Sequence, residues 1–195
     1  MGRKLEFCRD KAMHTAMESF WAQGYEHTSM RDLAGRLGLH LGSVYNALGD
    51  KERVFENALK LHFDEYVMPQ MTRLTQAENP LQAMDALMST VVDECCGQTE
   101  TPGCFIINSL LGITNINDSI TELLRGYMDK LEQSYTACLE HAKSLGQISA
   151  NADPAGLARF YMGSLFSLRT MGKLKMPQQH LRDIQTYTMR TLTAA

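Results

Sequence analysis

The segment from Thr28 to Glu52 constrains the fold of this chain more than any other. Met30, Leu33, Ala34 and Leu37 recur at helical spacing and give a short helix one apolar face. Thr28 is read as its cap, the hydroxyl accepting from N–H groups that lack a partner in the first turn. Gly38 follows at once, where a left-handed turn favours a residue without a Cβ. A second short helix can bury Leu39 and Val44, which leaves His40, Leu41, Ser43, Tyr45 and Asn46 facing mostly outward. Asp50 then opens a third helix. Two short helices around a glycine turn, the second with a polar outer face, predict a helix-turn-helix, the unit that lays its second helix in the DNA major groove.

The same residues carry a family resemblance. Phe20, Gly24, Tyr25, Thr28, Ala34, Gly38, Gly42, Tyr45, Asp50, Lys51 and Glu52 stand in the order and spacing of the TetR family of bacterial transcriptional repressors, over a stretch from about Asp10 to Phe55. The chain departs from that pattern at His40, where a capping Ser or Thr is common, at Leu41, where Lys or Pro often sits, and at Ala47-Leu48, where His-Phe is usual. The resemblance implies an all-α protein in two parts: a three-helix DNA-binding domain over 1–49 and a ligand-binding and dimerisation bundle over 50–195, joined by a long helix over 50–68. It also implies a homodimer on a palindromic double-stranded operator, a repressor released by a small-molecule inducer, and no cofactor.

Net charge looks wrong for a DNA binder until it is divided. The chain carries −3 overall, but residues 1–60 hold nine Lys/Arg against eight Asp/Glu, so the acidic excess lies beyond the motif. Local positive potential, not the total, governs phosphate binding. A 195-residue chain that is 44% hydrophobic and 21% charged suits a globular protein with a proper core. No apolar run approaches the roughly 20 residues that span a bilayer. The N-terminal residues lack an apolar signal core, and Glu6 spoils a myristoylation reading of Gly2, so the expected location is the cytoplasm, away from membranes. Five cysteines, an odd number without paired metal spacing, argue against a disulfide framework and against a zinc site.

Further along, the periodicity is helical nearly throughout. One helix is expected over 10–23 and the next from Asp50 to near Pro69. Asn79-Pro80 and Asp153-Pro154 each combine a cap with a proline at the first helical position. The apolar run Cys104 to Ile113 reads as a buried helix, and Asn115 to Asp118 cap a long helix that ends near Ser144. Two last helices are expected at about 154–174 and 178–193, with more apolar positions than one face requires, among them Phe160, Leu165, Leu181 and Tyr187. That surplus points to a partner, and in the family the last two helices build the dimer.

Candidate contacts follow from chemistry. Ser43 and Asn46 can bond phosphate or base edges, and Leu41 suits a thymine methyl. Tyr45 resembles the family's phosphate-contacting tyrosine, His40 can reach phosphate or cap its helix, and Gly42 permits close approach. Thr28 and Arg31 can grip the opposite edge of the groove, Lys51 can hold a phosphate at the start of its helix, and Arg3 and Lys4 resemble minor-groove arms. An adaptable apolar pocket would draw on Met84, Met88, Phe105, Asn108, Tyr127 and Tyr161. Cys104, after Pro102-Gly103 at a helix start, has the setting of a reactive thiol, and Gly-Cys there resembles relatives that sense oxidants or electrophiles. An enzyme or a DNA-free helical interaction module is the rival class, yet no nucleophile elbow, phosphate loop, dinucleotide fingerprint or zinc-protease motif is present.

Overall fold

The computed structural model describes residues 9–97, 103–112 and 118–194, and the regular structure among them is entirely helical. Arg3, Lys4, Cys8, Pro102 and the cap at 115–117 lie outside the described residues. In chain order the helices are α1 (Arg9–Gln23), α2 (Met30–Leu37), α3 (Leu41–Leu48), α4 (Lys51–His62), α5 (Met68–Thr75), α6 (Pro80–Cys96), α7 (Phe105–Gly112), α8 (Asp118–Ser144), α9 (Pro154–Lys173) and α10 (Gln178–Ala194).

Local chemistry places most of the helix starts. Asp50 accepts from Arg53 N–H at 2.8 Å, Asn79 from Gln82 N–H at 3.2 Å, and Asp153 from Ala155 N–H at 3.1 Å. The last two are followed by prolines that have no N–H to satisfy. The helix from Asp50 does not end at Pro69. A π turn over Phe63–Val67 joins α4 to α5, and the helical path runs on to Thr75. Proline removes one N–H and crowds the carbonyl four residues back, and a wider π turn just ahead of Pro69 accommodates both effects.

The chain forms two compact units, residues 1–66 with 105–123, and residues 67–104 with 124–195. In the first unit α4 packs along α1, because Phe55 meets Phe20 edge-on at 5.1 Å between ring centres. Phe55 and His62 also take Phe105 of α7 edge-on, at 5.7 and 5.5 Å. α7 is only partly buried, since Leu111 on its far side is 67% exposed. Ala12, Ala16, Met17, Leu33, Val44 and Leu48 complete this core.

The second unit is built on α6, whose Met84, Met88 and Val92 are fully buried. α6 meets α9 and α10 and is clamped to them by ion pairs, Glu94 to Arg169 and Asp93 to Arg182, each at 2.5 Å. Gln185 of α10 donates to the Asp85 carboxylate at 2.8 Å. Tyr135 and Tyr161 stack edge-on at 5.0 Å inside the bundle.

Candidate nucleic-acid interface

The helix-turn-helix is assembled by two caps. Ser29, not Thr28, caps α2: its Oγ accepts from Asp32 N–H at 3.1 Å, and the Asp32 carboxylate accepts from Ser29 N–H at 3.2 Å. This reciprocal pair is a capping box, legible as Ser29-x-x-Asp32. Hydrogen bonds from Ser29 hold the Asp32 carboxyl below the usual carboxylate range. At the other end Gly38 adopts φ +65°, and Leu39 N–H returns to Ala34 O at 3.0 Å. The left-handed turn costs glycine nothing and any other residue something, and it turns the chain sharply into α3.

Thr28 is thereby corrected as a DNA contact as well as a cap. Its side chain is 1% exposed, and the hydroxyl donates to Gly24 O at 2.8 Å and reaches Ser19 O at 3.4 Å. The hydroxyl stitches the α1–α2 connection and has no access to a phosphate. Its position beside Gly24 sets the bend, and the sequence signal for capping belonged to the residue after it.

α3 buries Val44 and Leu48 and exposes Gly42, Ser43, Tyr45 and Asn46. His40 is exposed in the cap position with extended backbone and makes no side-chain cap bond, so its ring is available to solvent. Leu41, expected to face outward, is half-buried, as is Leu39. Arg31 is exposed in the first turn of α2 and lines an open hollow of about 650 Å³ together with Gln23, His27, Asp32, Gly35 and Arg36.

Lys51 opens α4 directly after α3. Its ammonium does not stand free in solvent. Nζ lies 4.3 Å from the centre of the Tyr25 ring. Tyr25 in turn packs on Phe55 at 4.8 Å and Phe20 at 6.1 Å. Burial, with smaller effects from Glu52, Glu26 and Asp50, pushes the Tyr25 hydroxyl up. Tyr25 was not among the expected site residues. Nothing in a one-dimensional pattern links position 25 to position 51.

The expected pocket residues are divided between the two units. Met84, Met88, Tyr127 and Tyr161 are buried in the second unit, where the Tyr161 hydroxyl donates to Met84 O at 2.7 Å. Phe105 and Asn108 belong to the first unit, with the Phe105 ring committed to Phe55 and His62 and Asn108 half-buried on α7. Phe105 is therefore part of the α4–α7 packing of that unit. Cys104 has a half-buried free thiol immediately ahead of α7. Cys138 is buried inside α8, and burial pushes its thiol up to about 11. Among the described residues no group of three His, Cys, Asp or Glu is placed to hold a metal, and no helix is long and apolar enough to cross a membrane.

Residues 12–58 match the family profile described as "Bacterial regulatory proteins, tetR family", and residues 80–188 match that of the "Tetracyclin repressor-like, C-terminal domain". The chain is 28% identical to the HTH-type transcriptional regulator YezE of Bacillus subtilis strain 168, over 94% of this chain and 95% of that one. It is also 28% identical to the HTH-type transcriptional repressor ComR of Escherichia coli K12, over 82% of this chain and 76% of that one. In fold it is similar to the TetR-family regulator CifR, solved as a cysteine mutant with 26-bp double-strand operator DNA, with TM-score 0.83 and 24% identity over 97% of this chain and 98% of that one.

Proposed function

The chain belongs to the TetR family and is a DNA-binding transcriptional regulator; from that premise we propose that it is a repressor that binds a palindromic operator as a homodimer and leaves it when a small, largely apolar molecule binds the bundle. The observation that carries the reading is the outer face of α3: Gly42, Ser43, Tyr45 and Asn46 are exposed while Val44 and Leu48 anchor the helix beneath. Arg31 and His40, both exposed, flank that face, and Lys51 follows it in the chain. Leu41, half-buried, offers its free side to a thymine methyl. Residues 1–49 supply the reading head and 50–195 the ligand and dimer functions.

Dimerisation is supported by the large side chains that α9 and α10 leave uncovered, Phe160 at 46% and Tyr187 at 63% exposure. A two-fold dimer would present two α3 helices about 34–36 Å apart, one turn of DNA. Ligand control needs a coupling of only about 1–3 kcal/mol between bundle and reading head. Met84, Met88, Tyr127 and Tyr161 are the side chains we assign to the ligand. A second reading has its own support: Cys104 is a free, half-buried thiol directly before a helix, so an oxidant or electrophile could act there in place of a non-covalent inducer.

The test is operator binding by fluorescence anisotropy on the DNA upstream of the chain's own gene, with the oligomeric state measured by sedimentation. A dimer that shifts a palindromic fragment at nanomolar concentration and is released by one member of an apolar ligand library supports the reading. A monomer at micromolar concentration that binds no palindrome sinks it.

A further inference from the structure

We propose that Tyr25 is a positioning residue for DNA binding: its ring face holds the Lys51 ammonium at the start of α4 in the place from which it meets an operator phosphate. The inference rests on Lys51 being the phosphate contact of the reading above.

The geometry is that of a cation–π contact, with Nζ 4.3 Å from the ring centre, inside the roughly 6 Å over which a ring quadrupole attracts an ammonium. Tyr25 is itself fixed. Gly24 turns the chain with φ +81°, and the Tyr25 ring is wedged against Phe55 and Phe20. The platform under the lysine is thus a half-buried ring braced by core aromatics, although the two residues are far apart in sequence.

The choice of partner matters. Glu26, Asp50 and Glu52 are all near enough to act on the Tyr25 hydroxyl. Yet among the described residues Lys51 forms no ion pair. A carboxylate would neutralise the ammonium and occupy its donors. A ring face does neither: it orders the four-carbon stem and leaves the N–H groups pointing away from the ring to a phosphate oxygen. Because the side chain is ordered before DNA arrives, less rotamer freedom is lost on binding. Lysine alone is a flexible point charge. Lysine on Tyr25 is a pre-placed one.

The experiment measures operator affinity against salt for the unaltered dimer and for Tyr25→Phe, Tyr25→Leu, Lys51→Met and Tyr25→Leu/Lys51→Met. Tyr25→Phe keeps the ring and should bind as the unaltered chain does. Tyr25→Leu should weaken binding by about two- to fivefold, the span that such contacts convert to. Lys51→Met should flatten the dependence of log K on log salt by about 0.9 per protomer. The double variant should bind no more weakly than Lys51→Met alone, because the ring then has nothing to hold.

Losses that simply add would make Tyr25 a packing residue and overturn the proposal. Retention of full affinity by Tyr25→Leu would do the same. Lys51→Met with unchanged affinity and slope would instead overturn the phosphate role of Lys51, and so the reading beneath. An independent readout uses the unaltered chain: the ring should move the Lys51 ε-methylene protons upfield in the NMR spectrum, before and after operator is added. Random-coil shifts there would overturn the proposal whether or not Tyr25→Leu folds.

Discussion

The sulfur of Cys95 on α6 lies directly against the backbone of Gly172 on α9: a Cβ at Gly172 would collide with Sγ and sit 2.6 Å from the Cys95 Cβ. The thiol donates to Leu168 O at 3.7 Å, one helical turn earlier on α9. Gly172→Ala should therefore force α6 and α9 apart, since rotating the thiol leaves the Cβ clash in place. The expected loss is about 1–3 kcal/mol, as for other overpacked sites, read as a lower urea midpoint. Cys95→Gly in the Gly172→Ala background should recover part of it. An unchanged midpoint in Gly172→Ala would mean that the two helices are not in this contact.

Thr28 offers a test of its structural role. Thr28→Val keeps the shape but removes the hydroxyl that bonds Gly24 O and Ser19 O. Stability should fall by about 1 kcal/mol, the usual net worth of such a bond. The salt dependence of operator binding should keep its slope, because no phosphate contact is lost. A flatter slope at unchanged stability would return Thr28 to the DNA surface.

His14 makes the first unit's stability depend on pH. Its Nδ1–H donates to Asp10 O at 2.9 Å and its Nε2–H to the Glu65 carboxylate at 2.9 Å, so both nitrogens face acceptors. The Asp10 carbonyl first, then Glu65, raises the His14 pKa above 6.5. A raised folded pKa gives stability that is fully present below 6.5 and lost as pH climbs through the folded value. Glu65→Gln should thus lower Tm at pH 6 and change little at pH 9, with the His14 pKa moving down in an NMR titration. The pair is exposed, so the effect is small. A Tm difference that grows with pH would contradict the imidazolium.

Ser43 and Asn46 should govern which bases are preferred. Asn46→Ala removes a group suited to adenine and should cut discrimination at one position of each half-site by about 1–3 kcal/mol. Selection from a randomised operator pool would show this as a relaxed position. A uniform loss across all sequences would place Asn46 on the phosphate backbone.

Cys104 and Cys138 should label at very different rates. Cys138 is buried and its thiol is pushed up to about 11, whereas Cys104 is half-buried at a helix start. Iodoacetamide should modify Cys104 faster than Cys138, as mass spectrometry of peptides would reveal, and Cys104→Ser should keep operator binding while losing any response to oxidant. A normal oxidant response in Cys104→Ser would leave the non-covalent ligand as the better account.

Much of this architecture is written in short-range chemistry. Asn79-Pro80, Asp153-Pro154 and Asp50 announce their helices because a cap and its N–H partner lie within three residues of each other. The Gly38 turn and the apolar spacing from Met30 to Leu37 announce the helix-turn-helix for the same reason. Even the one misplaced cap was legible, since Ser29-x-x-Asp32 carries the signature that Thr28 lacks. What tertiary structure alone decided is which faces meet. Phe105 packs with Phe55 and His62 some fifty residues away in the chain, a contact no local pattern announces. Pro69 reads as a stop, yet a π turn carries the helix past it. Lys51 reads as a phosphate contact from its place at a helix start, but that its ammonium rests on Tyr25 is visible only in the packing. Hydrogen bonds that close within one turn depend only on neighbours in sequence, whereas burial and ring contacts depend on how whole helices pack, and no spacing rule encodes that packing.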